Sequence, residues 1–586
     1  MRRIAVLLVA VASVLFYSPL SAQAPAAGGQ ISRPGTAGGA QAPGMPPPRD
    51  NRGQAQSGTA VLRGRAVASQ TGSPLRRAQV MVMAPESQTR RVATTDGEGR
   101  YEFKELPAGR FSVTATKAGY VSLQYGQRRP FEAGTPVTVA DGEMVERIDF
   151  SLPTGSVITV RVTDDFGEPV AGAQVQAQRF QYGPDGQRRL TMAPGTGFLS
   201  ATDDHGEYRA YGLMPGEYVL SATVRSMGLP GLTNANDSNE GFSPTFYPGT
   251  VSANEAQAVS VGVGEERSVQ FAMVAARLAR IAGTVVDSEG RPASGAQLIV
   301  MSRQGGGISS SGTGSVSADG SFAISGIAPG EHSIEVRPIP RPGGAGGEFA
   351  SVSVTVAGTD ISGLRIVTGK GATVSGRVVF EGTASRSSPT PLRVFPLPVD
   401  PSSTPILFAG GADPLANGVL DDNGNFQLAA SSGRIFLTVT APPAWVVKSM
   451  TMDGEDITDQ PLELTGKSSL SGIVIRLTDK LTQISGRVND GRGQLLRDYV
   501  IVIQPVEQKE PLIASRLTRT ARPDTNGRFE TRGMRPGRYI ATAIETIEQG
   551  RQFSPEFREQ LRRGAREFSV REGETVTLDL TLTPGF

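Results

Sequence analysis

The 586-residue chain has no cysteine, only two histidines (His205 and His332) and a single tryptophan, Trp445. Without cysteine there are no disulfides, no thiolate metal sites and no thiol nucleophile. Two histidines leave little for a zinc hydrolase or a Ser-His-Asp triad, both of which use imidazoles as ligands or bases. An excess of one charge is also missing. Lys and Arg number 58 against 56 Asp and Glu, a net charge of +2, which argues against a dedicated nucleic-acid binder. No stretch approaches ~20 uninterrupted apolar residues, so no spanning helix is expected in the mature chain. What is abundant is glycine (72) and proline (41), together well above their usual ~12% share. A hydrophobic content of 38% is still enough to build cores.

The N-terminus reads as an address. Arg2 and Arg3 precede an apolar run from Ile4 to Phe16, Ser18-Pro19 breaks it, and Ser21-Ala22-Gln23-Ala24 offers small residues for cleavage. This is the pattern of a secretory signal peptide, residues 1–22. The run is too short for a ~30 Å hydrocarbon core. Export is therefore expected, to the periplasm, the outer membrane or the exterior. Residues 23–57 carry almost no large apolar side chains and are expected to form a disordered Pro/Gly-rich linker.

The remainder repeats. A Pro-Gly-like turn leading into a strand recurs with its glycine at Gly109, Gly216, Gly330, Gly433 and Gly537, a spacing of roughly 105 residues, which is domain-sized rather than solenoid-sized. Upstream of each lies an Asp-x-x-Gly-type turn before an aromatic, such as Asp203-Asp204-His205-Gly206-Glu207-Tyr208 or Asp524-Thr525-Asn526-Gly527-Arg528-Phe529. Period-2 alternation with turns every ~8–12 residues predicts many short antiparallel strands and two-sheet sandwiches. The expected units are 58–153, 154–275, 276–370, 371–479 and 480–586, strung like beads. Helix is nearly absent. Its clearest candidate starts at Ser554-Pro555, an N-cap serine followed by proline in the first turn.

These units resemble tandem carboxypeptidase regulatory-like domains, the transthyretin-like (prealbumin-like) sandwich also grouped as a carbohydrate-binding-like fold and found in secreted bacterial proteins. The resemblance is carried by Gly167-Glu168-Pro169-Val170-Ala171-Gly172-Ala173-Gln174-Val175, the Thr202 to Tyr208 turn and Pro215-Gly216-Glu217-Tyr218. It covers about 58–586 and is weakest in the fourth unit, where Ser432 replaces the turn proline. It implies an all-β fold of five Ig-like or transthyretin-like sandwiches and brings no catalytic residues.

The search for chemistry returns few candidates. His332-Ser333-Ile334-Glu335 matches half of a zinc motif, but the only other histidine lies in a different unit, and a strand-surface position is the expected alternative. Asp203, Asp204, Asp421 and Asp422 could supply oxygens to calcium. Because the position recurs in every unit, a turn-forming role is the stronger reading. Loop aromatics are the best candidates for binding. Phe242, Phe246 and Tyr247 lie in the Gly/Asn/Ser-rich insertion at 228–250, Tyr125 in a comparable loop beside Arg128-Arg129, and Trp445 after Pro442-Pro443. Burial in a core is the competing reading, favoured for Trp445 and by a small margin for the 242–247 cluster. No cofactor is expected, and polysaccharide or an envelope protein is the expected partner. The sum is an exported, non-catalytic binding protein, with a structural or adhesive spacer as the alternative and a hydrolase a poor third.

Overall fold

The computed structural model describes residues 58–84, 89–193, 201–224, 239–304, 307–337, 348–386, 392–399, 418–430, 432–466, 468–507 and 510–585. The expected signal peptide, the linker and the first half of the 228–250 insertion lie outside them.

Runs of alternating apolar and polar residues make the opening segment of each repeat a strand: Ala60–Ala68, Ser156–Thr163, Ala279–Val286, Ala372–Glu381 and Gln483–Asn489. In every repeat this strand lies inside its sheet. On one side it pairs antiparallel with the aromatic-bearing strand after the Asp-x-x-Gly turn, Glu207–Leu213 in the second unit. On the other it pairs parallel with the last strand of the same repeat, Glu266–Ala272 in the second unit and Thr575–Thr581 in the fifth. The sequence pattern predicts antiparallel neighbours only, so the parallel pair is a correction. Its cause is topological: the last strand arrives from the opposite sheet, and that crossover brings it back running beside the first. The opposite sheet is built on a second antiparallel pair, such as Gln174–Tyr182 with Gly216–Thr223 or Val500–Pro505 with Gly537–Ile544.

Each pair of sheets encloses its own buried cluster. In the second unit Ile158, Val160 and Val162 share a core with Val175, Ala177, Leu220 and Ala222. Burying one side chain of the Val or Leu class is worth about 1.5–3 kcal/mol. A cluster of this size sustains a unit without cross-links. The chain is therefore all-β, a tandem series of two-sheet sandwiches.

The recurring turns are held by one device. The Asp203 carboxylate accepts the backbone N–H groups of His205 and Glu207 at 3.0 and 2.8 Å. Asp96, Asp421 and Asp524 do the same in their own units. The turn then docks on the opening strand, Val162 N–H donating to the Gly206 carbonyl at 2.8 Å. Gly206 has φ +73°, and a Cβ there would lie 2.5 Å from the Val162 carbonyl oxygen. Only glycine fits.

Two residues past the Pro-Gly turn, the strand returns a polar side chain to the turn. The Tyr218 hydroxyl donates to the Met214 carbonyl at 2.6 Å, and Tyr539 to Arg535 at 3.0 Å. His332 occupies the same place in the third unit, its Nε2–H donating to the Ala328 carbonyl at 2.8 Å. It is only 2% exposed, which corrects the expectation of a strand-surface residue. The Ser311 hydroxyl completes the ring by donating to Nδ1 at 3.2 Å. Burial holds the His332 pKa below its ordinary 6.5, so the imidazole is neutral.

Candidate functional site

The loop at residues 125–136 of the first unit carries Tyr125, Gln127, Arg128-Arg129 and Phe131. Phe131 is buried at φ +63°, a conformation that a bulky residue keeps only where its surroundings impose it. Those surroundings belong to two other units. From the second, Met214 Sδ accepts the Phe131 N–H at 3.4 Å, the Arg179 guanidinium sits 3.2 Å over its ring, and Tyr218 meets it edge-on. From the fifth, Gln549 N–H donates to the Phe131 carbonyl at 3.1 Å. Arg522 donates to the Ala133 carbonyl at 2.8 Å and pairs with the Glu132 carboxylate at 3.4 Å. The Thr546 hydroxyl donates to the same carboxylate.

The Glu132 and Arg522 side chains are 3% and 6% exposed, so their attraction acts at low effective dielectric. Around them lie the exposed pair Arg128–Asp498 (3.0 Å), the exposed pair Arg129–Glu545 (3.3 Å) and Arg179–Glu548 (3.3 Å). A second contact is made by the Gly183-Pro184-Asp185-Gly186 tip between strands Gln174–Tyr182 and Arg188–Met192. Gly186 packs against Pro511 and Pro555, which open the helices Pro511–Leu517 and Pro555–Leu561. The second helix is the expected one, with Ser554 Oγ accepting the Phe557 N–H. The first escapes sequence reasoning because Glu510 before it makes no side-chain cap.

The fifth unit thus folds back onto the first and second. This corrects the string-of-beads expectation, and the reason it was hidden is plain: the contacts are made by loop residues that follow no period.

Two recesses flank the gripped loop. One, of about 610 Å³, lies between the first and fifth units and is lined by Arg110, Arg522, Arg528 and Arg532 with Asp524 and Glu530. Its arginines are largely engaged: Arg532 pairs with Glu530 at 2.5 Å, Arg528 donates to Ser485 Oγ, and Arg522 holds Glu132. The other, of about 670 Å³, is walled by the first, second and fifth units and includes Tyr120, Tyr211, Gln79, Gln181 and Gln549.

Of the sequence-selected aromatics only Tyr125 belongs to this loop. Phe246 is 4% exposed and packs with Leu190, Val219 and Ala253. Trp445 is 3% exposed, T-stacked on Phe380 and donating Nε1–H to the Ser385 carbonyl. Neither presents a ring face to a ligand, which removes Phe246 as an exposed candidate and agrees with the burial reading favoured for Trp445. Tyr125, Phe242 and Tyr247 are half-buried and packed on cores. A loop aromatic in a small sandwich closes the open end of its core, and the three-unit contact absorbs no part of 242–247. Among the described residues the exposed aromatics are instead Phe166 (86%) and Tyr211 (54%). The signal for Tyr211 was strand parity, since it alternates outward with Glu207 and Arg209. Phe166 sits in the turn after Asp164, whose Oδ1 accepts its N–H at 2.9 Å.

The carboxylate candidates are turn components. Oδ1 of Asp203 and of Asp421 each accepts two backbone N–H groups, and Asp204 and Asp422 are exposed beside them. Among the described residues no three His, Asp or Glu side chains converge as a metal set.

Residues 61–153 match the family model of the carboxypeptidase regulatory-like domain. The matched residues contain the gripped loop and form the first of the tandem sandwiches. No curated relative matches in sequence. Among solved structures, the Bacillus anthracis TIE protein is similar at 16% identity over 53% of this chain and 51% of that one, with a TM-score of 0.15. This chain therefore spans about half the length of that protein. A minor pilin of Streptococcus agalactiae is similar at 15% identity over 37% of this chain and 96% of that one, TM-score 0.21. The major pilin subunit of Bacillus cereus is similar at 13% over 53% and 99%, TM-score 0.13. At these values the likeness says nothing about what this chain does. No helix among the described residues is long and apolar enough to cross a membrane.

Proposed function

We propose that this regulatory-like-domain protein is exported and non-catalytic, and that it binds a carbohydrate or another component of the cell envelope. The observation that carries the reading is the three-unit junction, where loops of separate sandwiches are locked together to wall polar recesses. Locking a concave surface before a ligand arrives lowers the entropy cost of binding. The buried titratable groups there and in the third unit support a non-catalytic role, because they are already committed: Glu132 to Arg522 and Thr546, His332 to Ala328 and Ser311. A catalytic acid or base would have to reach a substrate proton instead. Export rests on the N-terminal signal pattern. The test is retention of the purified full chain on immobilised envelope polysaccharides. Retention on any of them supports the reading, and retention on none overturns it.

A second reading, a protein-binding spacer, is favoured by the strand Ala350–Val356 in the third unit. It ends its four-stranded sheet, alternates cleanly in exposure and carries neither proline nor charge. Such an edge is open to strand addition. Co-purification of a protein partner that is lost on Ser353→Pro would select this reading.

A further inference from the structure

We infer that the recess where the first, second and fifth units meet is an oligosaccharide-binding site. The inference rests on the binding reading above and names the ligand and the residues. At about 670 Å³ the recess falls within the ~300–1,000 Å³ typical of ligand sites. Its two tyrosines come from different units and are brought together by backbone contact. A Cβ on Gly155 would lie 2.4 Å from the Gly212 Cα, and one on Gly212 would meet the Tyr120 carbonyl at 3.4 Å. Tyr120 is also bridged to Thr154. This glycine-to-glycine approach sets the half-buried Tyr120 and the exposed Tyr211 in the walls of one cavity.

The remaining walls carry amides from all three units: Gln79, Gln181 and Gln549. A primary amide both donates and accepts hydrogen bonds, as a sugar hydroxyl does. Tyrosine offers a flat apolar face with a polar tip, suited to the C–H face and hydroxyl rim of a pyranose. The Glu132 carboxylate is neutralised by Arg522. Two cations line the cavity: Arg77, and Lys117, whose Nζ also donates to the Arg76 carbonyl at 2.8 Å. Ring faces, neutral amides and two cations suit a hydroxyl-rich chain, an acidic one included, better than an apolar peptide, which would leave the amides unpaired.

The experiment uses the full chain and three probes: dextran, xylan and the acidic polygalacturonate. The expected result is measurable binding of at least one, weakened about tenfold or more by Tyr211→Ala and by Gln181→Ala, with the melting temperature unchanged. If polygalacturonate is the probe bound, Arg77→Gln weakens it too. Binding that survives both Tyr211→Ala and Gln181→Ala overturns this site while leaving the protein a carbohydrate binder. Retention on an envelope protein with no affinity for any glycan overturns the site and selects the protein-binding reading.

Discussion

Replacing Arg522 by methionine keeps the side-chain stem and removes the guanidinium. Lost with it are the 2.8 Å bond to the Ala133 carbonyl, the 3.1 Å bond to Asp498 and the pairing with Glu132. Glu132 would stay buried, left with the Thr546 hydroxyl and the Arg129 N–H, which donates to it at 3.2 Å. Breaking a buried ion pair by deleting one partner costs about 3–5 kcal/mol. The exposed Arg128–Asp498 and Arg129–Glu545 pairs are worth only ~0–1 kcal/mol each and cannot compensate. Because every unit encloses its own core, the loss falls on the junction, which opens while the sandwiches stay folded. At about 1.4 kcal/mol per decade, amide exchange in residues 127–134 and 545–549 should speed up by roughly 10²–10⁴-fold. Small-angle scattering should show a larger radius of gyration. The double variant Glu132→Gln/Arg522→Met should recover part of the protection, since a neutral amide is cheaper to leave buried than a carboxylate. Exchange in the single variant within about threefold of the wild type, with unchanged scattering, would refute the assignment of the junction to this ion pair.

Three further outcomes are expected. His332 titrates below its ordinary 6.5 in the folded protein, so the unfolded chain binds the proton first; stability is complete above that value and falls as pH drops below it, by at most about 1.4 kcal/mol per pH unit. His332→Tyr, which installs the residue found at 218 and 539, should remove that slope in exchange measured on strand Gly330–Arg337, and an unaltered slope would contradict it. Asp203→Ala should cost the second unit about 1–3 kcal/mol in denaturant unfolding by freeing two N–H groups, and calcium should leave the wild-type melting temperature unchanged; a calcium-dependent rise abolished by the variant would restore the metal reading. Phe246→Ala should cost about 3–5 kcal/mol without changing glycan affinity at Tyr211, and a selective loss of glycan binding with normal stability would restore Phe246 as a contact residue.

The all-β class was readable because each local signal had one physical solution. Asp at the start of a turn has N–H groups two and four residues on within reach, Gly206 tolerates φ +73°, and alternation then decides which side of the strand is buried. Ser554-Pro555 announced a helix for the same reason, as the cap and the first turn are adjacent in sequence. The binding aromatics stayed open between two readings because loop composition does not say whether a ring caps a core or faces water. Phe246 and Trp445 do the first, Phe166 and Tyr211 the second. For Tyr211 strand parity held the answer. For Phe246 nothing local did.

What the sequence determined by itself is therefore the short-range part: the turns, the strands they join and the division of apolar residues into repeated cores. These depend on spacings of two to twelve residues, within which backbone sterics and hydrogen bonding leave few alternatives. The tertiary structure alone decided which strands run parallel, that His332 replaces a tyrosine in a core, and that Arg522 closes on Glu132 across 390 positions of chain. Such contacts are set by the placement of whole sandwiches, and only there do Tyr120 and Tyr211, from separate units, come to line one cavity.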